Sequence, residues 1–369
     1  MGEAQSYYRH LHKIPEGSGL EFLTSRFIAQ CLSSFGYEPQ CAGAITVYAD
    51  LKTEDSLPWI LLRADMDALP VTEQSGLPFS SEHPGWMHAC GHDAHCAMLL
   101  EAAGSLYGRR LPHNIRFVFQ SAEETTQGAM EAIQQGIVPE NLIACFAFHV
   151  WPGVPLGVPA TKNGALMASS DVYRVKIKGL SAHCAQRDKG ADALQTAVHI
   201  VSKLPEIRAC SSDPKTLLFC GSIHSGTSHN IVPEEASLYG TLRTFSAEDR
   251  ECIIRLLHRA AEDAAKLFGT QVTIEWEGGS PAVVNDSQLV RILDGVVPGV
   301  SHQVEATLAG EDFAYFQRYA PGVMLWLGTG DTPPLHNGEF FVPEEILPIG
   351  VSIWLDIAGF DWKQALGAS

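Results

Sequence analysis

Apolar residues in the first third of this chain switch between two periods. Residues 3–13 and 20–36 carry them at helical spacing, and Gly36 closes the second run as a cap. Residues 44–51 and 59–63 read as strands, the second running into Asp65-Met66-Asp67. A helix rich in Ala, Leu and Met is predicted over 92–107, and a short one over 128–135. Between them a β-rich run, 114–120, stops at Ser121-Ala122-Glu123-Glu124, and the apolar strand 143–149 ends on His149. This alternation predicts an α/β sheet, in which ligands collect at the C-terminal ends of strands.

The pattern changes near residue 170. Strand 171–178, helix 191–204, strands 216–224 and 236–245, helix 247–268 and strand 271–277 follow in the order β-α-β-β-α-β. That order is the ferredoxin-like split unit. After residue 279 the α/β character returns, with helix 286–294, the stretch 309–318, strand 323–327 and helix 343–359. At 369 residues the chain exceeds the span of one usual core. A catalytic domain of residues 1–168 and 280–369, interrupted by an inserted domain of 169–279, is the expected organisation.

A net charge of −17 without a Lys/Arg cluster argues against nucleic acid or an anionic membrane as partner, though not against an anionic small substrate. The nine cysteines are odd in number, scattered and free of CxxC pairs, which favours a reducing compartment over a disulfide framework. The N-terminus has no basic-then-apolar leader, and no apolar run approaches the ~18–20 residues of a membrane span. A cytoplasmic, soluble protein is expected.

Chemistry concentrates in His88-Ala89-Cys90-Gly91-His92-Asp93. Alone, Cys90 could be a buried small hydrophobe and His92 a core residue. A thiol and an imidazole across one glycine, next to His88 and His95, read instead as metal ligands. Glu123 and Glu124 follow a buried strand, where adjacent carboxylates are costly unless a cation neutralises them. A metal would divide their work: one carboxylate ligates, and its neighbour takes a proton from water. His149 at a strand end and His336 in a loop extend the inventory. Asp65 and Asp67, with Arg63 alongside, form either a turn with a local salt bridge or an orienting support for a ligand imidazole.

Arg63-Ala64-Asp65-Met66-Asp67-Ala68-Leu69-Pro70, the Cys90/His92 motif, Glu123-Glu124, His149 and Leu335-His336 occur in an order that resembles the aminoacylase and carboxypeptidase-type metallo-amidohydrolases. The subgroup it is most similar to contains hippurate hydrolases, auxin-conjugate hydrolases and bacterial N-acyl-amino-acid deacylases. The resemblance runs from Leu11-His12-Lys13-Ile14-Pro15-Glu16 to the C-terminal helix. It implies a mixed-sheet, two-metal exopeptidase-like catalytic domain with an inserted ferredoxin-like lid and dimerisation domain, in a homodimer. Cys90, His92, Glu124, His149 and His336 would hold two divalent ions per subunit (Zn, Mn, Co or Ni), with Cys90 bridging. Glu123 would be the general acid/base, and Asp67 would orient a ligand imidazole behind the metals.

From the inserted domain, His183 in Gly179-Leu180-Ser181-Ala182-His183 would steady the oxyanion. Asn230 and Arg243 would grip the substrate carboxylate. The implied reaction is hydrolysis of an N-acyl amino acid, with a dipeptidase or carboxypeptidase of the same superfamily as the alternative. Cys at position 90 favours the former, since the peptidases usually carry Asp there. One departure is the loop His183-Cys184-Ala185-Gln186-Arg187-Asp188, where the resembled family has small residues and a proline. Gly310-Glu311-Asp312-Phe313 also resembles a segment of that family.

Overall fold

Three apolar runs, Asn114–Gln120, Trp59–Asp65 and Leu142–Pro152, become neighbouring parallel strands at the middle of a seven-stranded sheet. Gly322–Gly330 joins them in parallel on one side, followed by the short antiparallel Pro159–Ala160. Thr46–Leu51 and Gln40–Ala42 continue the other side antiparallel, so the sheet is mixed. The computed structural model describes residues 2–367.

Helix His92–Leu106 is buried over nearly its whole length, as a helix apolar on every side must be. It packs on strand Trp59–Asp65 and on helices Glu3–Lys13 and Leu347–Gly359. Its first turn is set by Gly91, which has φ 84 and no room for a side chain: a Cβ there would lie 2.4 Å from Val150 Cγ2. Close approach of the Cys90-Gly91-His92 backbone to the neighbouring strand therefore depends on glycine.

The chain divides into two compact units. The first takes in the chain up to Leu166, Val283–Glu305 and the chain from Asp312 onward; the second is Met167–Ala282 with Ala306–Glu311. The second unit is a four-stranded antiparallel sheet in the order Leu217–Ser225, Glu235–Arg243, Ser170–Lys178, Gln271–Ser280. With helices Ala193–Arg208 and Ala247–Phe268 it is ferredoxin-like, as the element order predicts. Alternation decides its faces: Tyr173, Val175 and Ile177 enter a core with Leu238, Ile253 and Leu257, while Arg174, Lys176 and Lys178 face outward.

Three local outcomes differ from the sequence pattern. The strand bearing His149 does not stop there but runs to Pro152, because Trp326 and Leu327 pair with His149 and Val150 and prolong the ladder. The helix expected to end at residue 204 continues through Pro205 to Arg208, held by buried Ile207 and by Arg208 Nε donating to the Thr216 carbonyl at 3.0 Å. Ala306–Glu311 joins the second unit through a Thr307–Met167 bridge, and so short a bridge leaves no periodicity to read. Among the described residues all cysteines are free, and no helix is long and apolar enough to cross a membrane.

The first helix is tied to this core by a buried charge. His12 Nδ1 lies 2.6 Å from Asp93 Oδ2 and Nε2 lies 3.1 Å from Glu73 Oε1, so both ring nitrogens face acceptors. Burial opposes the imidazolium, but Asp93 and Glu73 outweigh it and push the group up to about 9. A raised value means this stabilisation is complete below the unfolded-state value of ~6.5 and is lost as pH rises through about 9. His12→Gln should cost ~3 kcal/mol near neutral pH. In urea titrations the gap between wild type and variant should narrow by about pH 9.5; a gap independent of pH would show that the pair is not ionic.

Candidate metal centre

Six candidate side chains converge where the parallel strands end. Cys90 and His92 flank the start of the buried helix, Glu123 and Glu124 lie in the turn after Asn114–Gln120, His149 lies near the end of Leu142–Pro152, and His336 sits in the loop after Gly322–Gly330. Two ligand-sized sets share the thiol: Cys90, His92 and His149 form one, and Cys90, Glu124 and His336 the other, each with its ligating atoms within 4.8 Å of one another. Cys90 Sγ is 3.4 Å from both His149 Nε2 and His336 Nε2. Glu124 Oε1 lies 3.5 Å from His336 Nε2 and 3.9 Å from His92 Nε2. Glu123 groups with His92 and Glu124 at the same spacing.

The 3.4–3.5 Å contacts within each set are long for hydrogen bonds but match the edge of a tetrahedron of ligands, which metal–ligand bonds of about 2.0–2.3 Å set at ~3.3–3.6 Å. The polar atoms also fit a cation better than any protein partner. His92 Nε2 and Glu124 Oε1 are buried with no hydrogen-bond partner, a costly state that a metal would relieve.

The opposite ring nitrogens of His92 and His149 are accounted for. His92 Nδ1 is 2.9 Å from the Asp67 carbonyl and 3.2 Å from Asp67 Oδ1, which turns Nε2 inward. Asp67 Oδ2 accepts from the Glu124 N–H at 2.9 Å and from Ser18 Oγ at 2.7 Å. His149 Nδ1 donates to the Val150 carbonyl at 2.6 Å, leaving Nε2 toward Cys90. The Val150 N–H donates to His95 Nε2 at 2.9 Å, so His95 carries its proton on Nδ1 and gives it to Asp65 Oδ1 at 2.6 Å. Asp65 in turn receives Arg63 Nη1 at 2.6 Å. Thus Asp67 supports an imidazole that faces the cluster, while Asp65 supports His95, whose ring stacks edge-on against His149.

Burial and neighbouring charges act differently on the three buried groups. Burial, followed by the Glu124 and Glu123 charges, pushes the Cys90 thiol well up. Burial opposes the charge on His92, yet Asp65, Asp67 and Glu124 outweigh it and push the imidazole up to about 10. Burial, then His95, holds His149 well below the ordinary histidine range.

Backbone strain brackets the cluster. Ala122 and His336, neither of them glycine, sit at φ 56 and φ 64. Gly128, whose Cβ would meet the Ser121 carbonyl oxygen at 1.7 Å, lets the chain fold tightly behind Glu123-Glu124. Sequence reasoning missed Ser18, Glu21 and His95's exact partner Val150, because their contacts arise from loops and strands distant in sequence.

His183, Asn230 and Arg243 belong to the second unit. There His183 pairs with Ile231 in a two-residue ribbon, and the Cys184 N–H donates to the Asn230 carbonyl at 3.0 Å, so His183 and Asn230 are neighbours. His183 Nδ1 accepts from the Ala185 N–H, leaving Nε2 outward on an exposed side chain. Arg243 ends strand Glu235–Arg243 beside Ser170 and Gly310; a Cβ on Gly310 would come within 3.2 Å of Arg243 Nη1. Burial lowers the Arg243 guanidinium from its usual value, offset in part by Asp171.

A mixed α/β sheet that gathers a thiol, three imidazoles and a carboxylate pair at its strand ends, with a ferredoxin-like second unit, defines a class. The chain belongs to peptidase family M20/M25/M40, which it matches over residues 61–359. It is 35% identical over 361 residues to an N-acetylcysteine deacetylase of Bacillus subtilis, covering 95% of this chain and 94% of that one. It is 33% identical over 347 residues to an N-acetyldiaminopimelate deacetylase of Streptococcus uberis, covering 90% and 91%. The crystal structure of the Bacillus subtilis YXEP protein, a dinuclear metal-binding peptidase from the M20 family, matches with a TM-score of 0.84 at 33% identity over 96% of each chain.

Loading this cluster with a divalent ion at neutral pH should displace the proton of the buried Cys90 thiol. Calorimetric titration of chelated protein with Zn²⁺, in buffers of different ionisation enthalpy, detects the release. Cys90→Ala should release one proton fewer than wild type, and equal release from both would show that the thiol does not ligate.

Proposed function

We propose that this protein is a metal-dependent amidohydrolase that cleaves the amide bond of N-acyl amino acids, releasing a carboxylic acid and a free amino acid. The convergence of Cys90, His92, Glu124, His149 and His336 on two sets that share one thiol, with Glu123 alongside, carries the reading. The deacetylase relatives support it and favour acetyl as the acyl group.

In this reading those five residues would hold two divalent ions, Cys90 belonging to both ligand sets. The donor set suits Zn, Mn, Co or Ni. Such ions supply Lewis acidity toward the acyl oxygen and make water a stronger acid. Glu123 is buried beside Glu124 and takes the proton of the attacking water, then returns it to the leaving nitrogen. The outward Nε2 of His183 donates to the developing oxyanion. Asn230 and the planar fork of Arg243 bind the substrate's free carboxylate.

The protein acts in the cytoplasm, a reading supported by its unpaired cysteines. It works as a homodimer through the second unit, whose marginal strand Leu217–Ser225 exposes Phe219 and Ile223.

Amine release from N-acetyl- and N-benzoyl-amino acids should vanish on chelation, return with Zn²⁺, Mn²⁺ or Co²⁺, and be faster for the acetyl compounds. Metal uptake without hydrolysis of either set would overturn the assignment. Glu123→Gln should keep its metal and lose about 10³-fold in kcat; near-normal turnover would remove Glu123 as the base. Arg243→Ala should raise KM about 10–100-fold for free-acid substrates and leave the corresponding amides nearly unaffected. Equal losses on both would show that Arg243 does not read the carboxylate.

A further inference from the structure

Residues 16–21, between helices Glu3–Lys13 and Phe22–Phe35, supply nothing to the chemistry described above. They nonetheless touch two separate supports of the candidate site. Gly17 bridges Ala68 in parallel register, and the Ala68 N–H donates to the Glu16 carbonyl at 2.8 Å. Ser18 Oγ donates to Asp67 Oδ2 at 2.7 Å. Glu21 Oε1 accepts the Ala122 N–H at 2.7 Å from across the fold. The loop lies tight against its surroundings, since a Cβ on Gly17 would fall 2.4 Å from the Trp86 ring.

Helix capping does not account for Glu21. It precedes helix Phe22–Phe35, but its side chain makes no capping hydrogen bond. The Glu16 carboxylate does that work, accepting the Leu23 and Thr24 N–H groups at 3.1 and 2.9 Å. Glu21 is fully buried, and its Oε2 has no hydrogen-bond partner. A carboxyl held in so unfavourable a place points to the contact it makes with a distant segment, the Ala122 N–H.

That contact is the peptide just before the proposed base. Ala122 stands at φ 56, a conformation that residues with a Cβ disfavour. Its carbonyl accepts from Thr125 Oγ1 at 3.1 Å and from the Gly128 N–H at 3.2 Å. Glu21 fixes the other end of the residue. On the neighbouring support, Ser18 shares Asp67 Oδ2 with the Glu124 N–H.

We propose that Glu21 and Ser18 are positioning residues, which hold the Ala122–Glu123 turn and the Asp67 carboxylate in register so that Glu123 and Glu124 present their oxygens at the working spacing. The proposal rests on the roles assigned to those two glutamates in the proposed function.

Three conservative variants test it. Glu21→Gln keeps an acceptor oxygen of the same reach and loses the charge, whereas Glu21→Asp keeps the charge and loses the reach. Ser18→Ala removes one donor to Asp67. Titration of chelated protein with Zn²⁺ is read first, because it needs no substrate. Glu21→Asp should weaken one of two ions by about 10–100-fold and Ser18→Ala by several-fold, with Glu21→Gln close to wild type.

On N-acetyl-amino acids, Glu21→Asp should lower kcat by about 10–100-fold with KM changed less than about threefold. Glu21→Asp equal to wild type in both readouts would overturn the proposal even if its melting temperature fell. So would Glu21→Gln impaired as badly as Glu21→Asp, since charge rather than reach would then matter. If the wild type hydrolyses no N-acyl amino acid while Glu21→Asp still loosens one ion, the function assignment fails and the brace stands.

Discussion

The buried carboxylate of Asp67 is the point on which the candidate centre depends. Its Oδ1 and its own carbonyl fix His92 Nδ1, and its Oδ2 receives the Glu124 N–H and the Ser18 hydroxyl. One anion thereby joins the end of strand Trp59–Asp65, the first turn of the buried helix, the glutamate turn and the N-terminal loop. Burial opposes its ionisation, and these hydrogen bonds together hold the group below the ordinary aspartate range. Removing any one partner leaves an under-satisfied charge in the interior, so the four elements are coupled energetically as well as spatially.

A second buried layer repeats the device. Arg63 lies between Asp65 and Asp312, at 2.6 and 2.9 Å, and also donates to Gln120 at 3.0 Å. Through Asp65 this layer reaches His95, then the Val150 peptide, then His149. Local rules are broken where these layers end: Ala122 and His336 take left-handed backbone angles, and His92 Nε2 and Glu124 Oε1 lack protein partners.

Much of this could be read in advance. The α/β alternation and the β-α-β-β-α-β order depend on periodicity, which a sequence displays directly. Cys90, His92, Glu123, Glu124, His149 and His336 stand out because reactive residue types occur at strand ends or beside a glycine turn. His183, Asn230 and Arg243 were singled out only through resemblance, since each would otherwise be an ordinary loop or strand residue. Glu21 was not legible: an acid ahead of a helix is commonplace, and its partner Ala122 lies 101 residues away. The extension of the His149 strand was hidden for a similar reason, because its cause is pairing with Gly322–Gly330 near the far end of the chain.

The six converging side chains are unequal in one respect. Cys90, His92, Glu123 and His149 are buried and Glu124 is nearly so, whereas the His336 side chain is 54% exposed. His336 stands on a loop in a strained conformation, held to the interior by its N–H donating to the Ala89 carbonyl at 2.8 Å. The cluster is therefore a cup with one wall open to solvent. Exchange kinetics would follow from that asymmetry: an ion held by Cys90, Glu124 and His336 would trade with bulk solution after one imidazole swings aside, while one held by Cys90, His92 and His149 would wait for the protein interior to open. A chelator should accordingly strip the two ions in two kinetic phases rather than one.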